Sequence, residues 1–373
     1  MRQSIAASAI IMKLSTTILL LASTAIALQN CEAFVPQNTI ATGSNAQRLQ
    51  STELFAVGAL VKKAKEAELR QYIADGIEDD VMEVYNKMKE QAESVDLLAS
   101  SNGKGPLQEA LHRRKGTISV IAEYKRKLSN SAIIKQEIFD PELMSPEFRE
   151  YGASGIAVMA DERMGGCTYD DLKVFCEEQR RAKMEVPGPV GVINNDLIID
   201  ELQIARSAAY GASAVVLNMQ LLGAETVEKF MKCAQAVDLE SVVQVSTKDE
   251  AQEAVNIGAR MITVANVPGV DDKVSVIDGL EVADDRTITF IANILHKDNK
   301  GLEEIEEAWA CRDKGFSSVW VSDALYKSGN DINEHPGAII KSMKAKSSLK
   351  WASPKAYSGR GEGAREYLGD ILM

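Results

Sequence analysis

Gly152-Ala-Ser-Gly-Ile-Ala-Val158, Gly211-Ala-Ser-Ala-Val-Val-Leu217, Gly258-Ala-Arg-Met-Ile-Thr-Val264 and Gly315-Phe-Ser-Ser-Val-Trp-Val321 are four versions of one junction. Each opens on a glycine, which can take the left-handed conformation that ends a helix. Each then runs straight into a short apolar, β-rich segment. Four more such segments lie between them, so strands are expected at 118–122, 155–160, 190–194, 214–218, 242–245, 261–265, 288–292 and 319–322. They are apolar along most of their length, as parallel strands buried on both faces must be. Helical stretches separate them. Val227, Phe230, Met231, Ala234 and Val237 fall on one helical face, and Thr247 with Glu250 predicts a capping box. Eight strands alternating with helices predict a closed (β/α)8 TIM barrel over residues 117–345. An open doubly wound sheet is the alternative, but its usual Gly-x-Gly-x-x-Gly turn after the first strand is missing.

Outward from the barrel, residues 57–116 are helical and charged, ending in Pro106-Leu-Gln-Glu-Ala-Leu111. They predict N-terminal helices that cover the barrel on its N-terminal side. Residues 346–373 contain Gly359-Arg-Gly-Glu-Gly-Ala-Arg365 and are expected to form a flexible C-terminal tail. At the other end, Lys13 precedes an apolar run from Leu14 to Leu28. That run is too short to span a bilayer and has the form of a signal-peptide core, so 1–34 is expected to be removed. The next segment, 35–56, follows Ala33-Phe34-Val35-Pro36. It is rich in Ser, Thr, Asn and Gln, and has no acid between Val35 and Thr52. This resembles the bipartite leaders of algae with secondary plastids, which implies a plastid (chloroplast stroma) destination; a plain secretory leader is the alternative.

The chain has 373 residues, 45% hydrophobic and 26% charged, with a formal net charge of -12. That balance supports a soluble core and argues against nucleic acid or an anionic membrane surface as partners. The mature protein is not expected to be membrane-bound. Five cysteines (31, 167, 176, 233 and 311) form no Cys-x-x-Cys pair. Beside only three histidines they give no zinc pattern, so no metal is expected.

Barrel chemistry collects at the C-terminal ends of the strands. Those ends carry Glu123 and Lys125, Asp161 and Glu162, Asn194, Asn195 and Asp196, Asn218 and Gln220, Gln244 and Ser246, Asn266, Asn293, and Ser322 with Asp323. The set is dominated by carboxamides, which hydrogen-bond but carry no proton that titrates near neutrality. Glu123 and Lys125, at i and i+2 on one strand, point the same way. They are equally readable as a structural ion pair or a binding pair.

Val120-Ile-Ala-Glu-Tyr-Lys-Arg-Lys127, Tyr151-Gly-Ala-Ser-Gly-Ile-Ala-Val-Met-Ala-Asp-Glu162 with Gly165 and Gly166, and Asn195-Asp-Leu-Ile-Ile-Asp-Glu-Leu-Gln-Ile204 resemble indole-3-glycerol phosphate synthase. The resemblance covers about residues 57 to 345. It implies a TIM barrel that closes and decarboxylates a carboxyphenylamino-deoxyribulose phosphate in tryptophan biosynthesis, a lyase (carboxy-lyase) reaction without cofactor. It assigns Glu123 to the hydrogen-bonded network of the first strand and Lys125 to the substrate's carboxylate and phosphate. Ser129, Asn266, Asn293, Ser322 and Asp323 are the other expected substrate contacts.

The departures fall on the chemistry. The general-acid lysine is Asn195, and the phenylalanine after it is Leu197. The general-base glutamate is Gln244. The sixth-strand Asn and Arg are Ala265 and Val267, and the seventh-strand Glu-Ser-Gly is Ala292-Asn293-Ile294. Leu128-Ser129-Asn130 replaces Ser-Pro-Ser, and Ser322 replaces a phosphate-binding glycine. Acid and base groups each contribute roughly 10²–10⁴-fold to a rate, so a pseudoenzyme is expected, with a small-molecule ligand or a tryptophan-pathway protein as its partner. Two alternatives stand beside it. One is a working synthase using Lys125 as acid and Glu123 as base. The other is a barrel enzyme for a different small substrate, built on Glu123, Lys125, Asp161 and Asp323.

Overall fold

The computed structural model describes residues 44–99, 103–112, 116–128, 133–134, 139–297, 302–328, 331–332 and 336–344. Residues 1–34, Ser129 and the 346–373 tail lie outside them. The main helices are α1 (Ser44–Asp75), α2 (Asp79–Gln91), α3 (Pro106–Leu111), α4 (Pro141–Glu150), α5 (Tyr169–Arg181), α6 (Glu201–Tyr210), α7 (Ala224–Ala236), α8 (Lys248–Asn256), α9 (Val270–Ile277), α10 (Leu302–Lys314) and α11 (Gly337–Lys344). The barrel strands are β1 (Ser119–Tyr124), β2 (Gly155–Val158), β3 (Gly191–Asn194), β4 (Ala214–Asn218), β5 (Glu240–Val245), β6 (Met261–Val264), β7 (Thr289–Ile294) and β8 (Ser318–Val321). Helix α1 begins inside the stretch read as a transit segment.

The eight strands close in sequence order into one parallel barrel, β1 pairing with both β2 and β8. Every strand read from the sequence is present, with ends within two residues of those expected. The four junction glycines all have positive φ: 92° at Gly152, 89° at Gly211, 95° at Gly258 and 109° at Gly315. An L residue is strained in that conformation through its Cβ. Val227, Phe230, Met231 and Ala234 of α7 are buried as their spacing requires. The capping box at α8 is only half formed. The Thr247 hydroxyl accepts from the Glu250 N–H at 3.2 Å, but the Glu250 carboxylate accepts from the Ser246 N–H at 2.7 Å.

Inside the barrel, Ile121, Ala157, Ile193, Ala214, Val216, Val242, Met261, Ile291 and Trp320 form one apolar cluster with Leu107 and Leu111 of α3. Helix α3 is thus a plug in the N-terminal end. Glu240, at the start of β5, accepts from the Leu107 and Gln108 N–H groups at 2.6 and 3.0 Å and so caps the plug helix. Close packing there accounts for Gly191, where a Cβ would come within 2.8 Å of Leu107 Cδ1.

The N-terminal helices do not all lie on that side, and this corrects the sequence expectation. Lys65 of α1 pairs with Asp161 (2.5 Å) just beyond β2 and with Asp196 (2.7 Å) just beyond β3. Helix α1 therefore crosses the C-terminal ends of those strands. It docks through a buried charge and ring contacts as well as apolar side chains, and hydrophobic periodicity does not report such contacts.

Burial disfavours the Lys65 ammonium, yet the Asp196 and Asp161 charges outweigh it and hold its pKa above the ordinary value. Asp161 is penalised by burial but brought below its usual range by Lys65 and by backbone N–H groups. Asp196 goes the other way. Full burial dominates, and with the neighbouring Asp161 charge it pushes the carboxyl up to about 6 despite Lys65.

Two outcomes follow. Gly211→Ala should lower the unfolding free energy by about 1–2 kcal/mol in urea titration, the cost of forcing a side chain into the left-handed region. Asp196 has a folded pKa above the ordinary 3.8. Its contribution therefore favours the folded state most at acid pH and is lost as pH rises through about 6. The stability of the native protein relative to Asp196→Asn should fall between about pH 4 and pH 6. A flat or rising difference in chemical denaturation would contradict the assignment.

Candidate functional site at the barrel mouth

Side chains alternate along a strand, so the interior cluster fixes which later residues face into the mouth. On β1, Ile121 is inside, which brings Glu123 inside and then Lys125. Both are almost fully buried, at 3% and 4% exposure. The Glu123 carboxylate accepts from Trp320 Nε1 at 2.6 Å, Ser322 Oγ at 2.6 Å and Asn195 Nδ2 at 3.2 Å. Lys125 Nζ stands 3.7 Å from Glu123 Oε1 and forms a closer buried ion pair with Asp323, in the turn that follows β8. The Tyr326 hydroxyl donates to the Glu123 carbonyl at 2.6 Å and accepts from the Lys125 N–H at 3.3 Å. Burial drives that phenol well above its ordinary pKa, so it acts as a neutral donor.

The remaining strands present amides and small side chains. Val216, Val242 and Ile291 belong to the interior cluster, so Asn218, Gln244 and Asn293 face the same space two residues further on. All three are half-buried, as are Asn195 and Ser322. Asn218 is partly used as a cap, its side chain accepting from the Leu221 N–H at 3.0 Å. Trp320 pairs in register with Ile121 on one side and Asn293 on the other. Its indole, 3% exposed, fills the barrel axis below the mouth. Leu128, Val267 and Ile294 are buried in the large outer core cluster and not in the interior one.

Of the residues expected at the site, the structure brings together Glu123, Lys125, Asn195, Ser322 and Asp323, with Gln244 and Asn293 on the same face. Asn266 is not brought in: it follows β6 with a φ of 60° and is exposed. Asp161 and Asp196 also leave the mouth. They turn outward to Lys65, and Asp196 accepts from the Tyr169 hydroxyl at 3.0 Å and Gln203 Nε2 at 2.8 Å. Asn194 likewise points outward, to Tyr169 and Ser207. Ser129 lies outside the described residues. Trp320, Tyr326 and Lys65 were not anticipated. Strand alternation through Ser318, Trp320 and Ser322 could have revealed the first, whereas no local pattern marks Tyr326 or Lys65.

The ionisable groups brought together at the mouth are Glu123, Lys125 and Asp323, and each is already engaged by neighbours in its own barrel. Proton transfer across the mouth needs a donor and acceptor facing each other over the substrate. The positions opposite Glu123 hold carboxamides. Among the described residues, no group of three or more His, Cys, Asp or Glu could hold a metal ion. Cys167, Cys176, Cys233 and Cys311 are buried free thiols. Burial pushes the first two and Cys311 up to about 12, and Cys233 up to about 11, which leaves them unreactive as nucleophiles.

Comparison with known proteins agrees with this architecture. A family model described as indole-3-glycerol phosphate synthase matches residues 71–334. An indole-3-glycerol phosphate synthase of Leptospira interrogans is 34% identical over 158 residues, 42% of this chain and 58% of that protein. One from Carboxydothermus hydrogenoformans is 25% identical over 59% of this chain and 80% of its own length. One from Chlorobium luteolum is 28% identical over 59% and 79%. The chain thus spans a little over half of the Leptospira relative and about four fifths of the other two. With its closed barrel, its first-strand glutamate and lysine and a family match over most of its length, the chain belongs to the indole-3-glycerol phosphate synthase family.

Proposed function

We propose that this protein is an indole-3-glycerol phosphate synthase-like barrel, associated with tryptophan biosynthesis, whose synthase activity is lost or strongly reduced. One observation carries the reading: Glu123 and Lys125 are held by Trp320, Ser322, Asn195 and Asp323, and the positions to which the family resemblance assigns the acid and base hold Asn195 and Gln244. An amide in either place can hydrogen-bond a ligand but cannot pass a proton. The Lys125 charge, which the family resemblance assigns to the substrate's carboxylate and phosphate, is shared with Asp323. The alternative synthase mechanism, Lys125 as acid and Glu123 as base, requires breaking that buried pair and the Trp320 hydrogen bond before substrate could be engaged.

The protein then serves as a ligand-binding or scaffold member of the pathway, its partner a small molecule or another pathway protein. The leader supports import into a plastid, where that pathway would be met.

Purified protein incubated with the carboxyphenylamino-deoxyribulose phosphate should turn over at least roughly 10⁴-fold more slowly than an ordinary family member, reflecting the loss of both proton carriers. Turnover near the ordinary rate, followed by indole fluorescence, would end the proposal. Localisation is tested by fusing residues 1–56 to a fluorescent protein in an alga with secondary plastids. The fusion should enter the plastid, and the Phe34→Ala fusion should stall at an earlier compartment; secretion of the unaltered fusion would reject the plastid assignment.

A further inference from the structure

A second site lies outside the barrel. Between α1 and the β2–β3 side is a cleft of about 200 Å³, lined among others by Lys65, Leu69, Tyr72, Ala160, Tyr169 and Arg206. Arg206, from α6, has its guanidinium carbon 4.0 Å from the Tyr72 ring centre and 4.3 Å from the Tyr169 ring centre, with the Tyr210 ring at 5.3 Å. Two rings on different elements thus clamp the cation. Its Nε donates to the Tyr210 hydroxyl at 3.2 Å, which donates to Glu78 at 2.9 Å. The Nη1–Nη2 edge has no acceptor among the described residues, although it belongs to a residue lining the cleft. The other cation, Lys65, is already paired with Asp161, Asp196 and Glu68.

We propose that this cleft is a carboxylate-binding site, with the Nη1–Nη2 edge of Arg206 gripping the ligand's carboxylate and Leu69, Ala160 and the tyrosine rings receiving a small apolar body. A planar carboxylate matches that edge with two parallel hydrogen bonds. The ligand can carry no more than a single charge, because Arg206 also interacts with the Glu78 carboxylate and Glu68, Glu162, Asp170 and Asp196 line the cleft and repel a dianion. The volume admits a molecule about the size of one substituted ring. Such a ligand would join α1 to α5 and α6. It would also sit against Asp196, the residue after Asn195, which touches Glu123 at the mouth. The site stands whether or not the barrel retains synthase activity.

The test uses the full chain with benzoate as probe, followed by titration calorimetry and by the shift in melting temperature. Native protein should bind one benzoate saturably and melt higher with it. Arg206→Lys keeps the charge but loses the fork, and should bind roughly tenfold or more weakly. Leu69→Trp, which fills the cleft from α1, should abolish binding and leave Arg206 intact. Melting curves without ligand establish that each variant is folded. Inorganic phosphate at the same concentration should not compete. Absence of saturable benzoate binding by the native protein would overturn the proposal. So would undiminished binding by either folded variant, or phosphate binding as tightly as benzoate.

Discussion

A carboxylate inside a closed barrel has no water of its own to rely on, so its neighbours must satisfy it. Glu123 meets that requirement with three donors from two other strands: Trp320 and Ser322 of the β8 segment, and Asn195 at the end of β3. These bonds span the seam where the barrel closes and reach the neighbour of β2 on the other side. Leaving such a group unsatisfied costs about 1–3 kcal/mol, and more when it is charged. The arrangement therefore resists opening. A ligand that claims Glu123 must replace all three donors, and the indole also fills the axis beneath the mouth.

The same logic governs the outer face of the strand ends. Asp161 and Asp196 occupy places where a barrel enzyme often keeps its chemistry, but Lys65 draws them outward and uses them to hold α1. Two buried carboxylates around one ammonium, with the more exposed Glu68 beside them, leave a surplus negative charge in a buried place. Its effect is divided unequally: Asp161, supported by the Arg163 and Met164 N–H groups at 2.9 Å each, stays ionised more readily than Asp196. Burial here is set by tertiary docking of a helix about a hundred residues distant, and neither strand carries a mark of it.

That contrast explains how much could be read before the structure. The barrel was legible because its determinants are local. A helix that ends on Gly211 or Gly258 must use left-handed backbone, and an apolar run such as Ala214–Asn218 must be buried on both faces. The mouth was half legible. Alternation placed Glu123 and Lys125 together, but choosing which of Asn194, Asn195 and Asp196 faces inward requires the register of β3, and Asn195 alone does. Asn266 was misplaced for a related reason: β6 ends at Val264, after which the chain no longer alternates. Ser322 and Asp323 were expected at the mouth, but not that they would engage Glu123 and Lys125 directly, because those contacts join β1 to β8 and its following turn, about two hundred residues away.

The replacements at the mouth are better understood together than singly. Asn195 and Gln244 would each remove one proton carrier, and a barrel losing only one would keep a charged group facing an unfilled partner. By the family resemblance, the acid and base positions both hold carboxamides and the sixth-strand polar positions hold Ala265 and Val267, while Trp320 lies in the interior cluster beneath Glu123. The result leaves Glu123 and Lys125 compensated within the protein itself. The Lys125 charge has Asp323 as its counter-ion, so any anion entering the mouth would compete with that buried pair. Around that pair the mouth presents neutral donors and acceptors at Asn195, Gln244, Asn293 and Ser322, all half-buried, which can hydrogen-bond but not pass a proton.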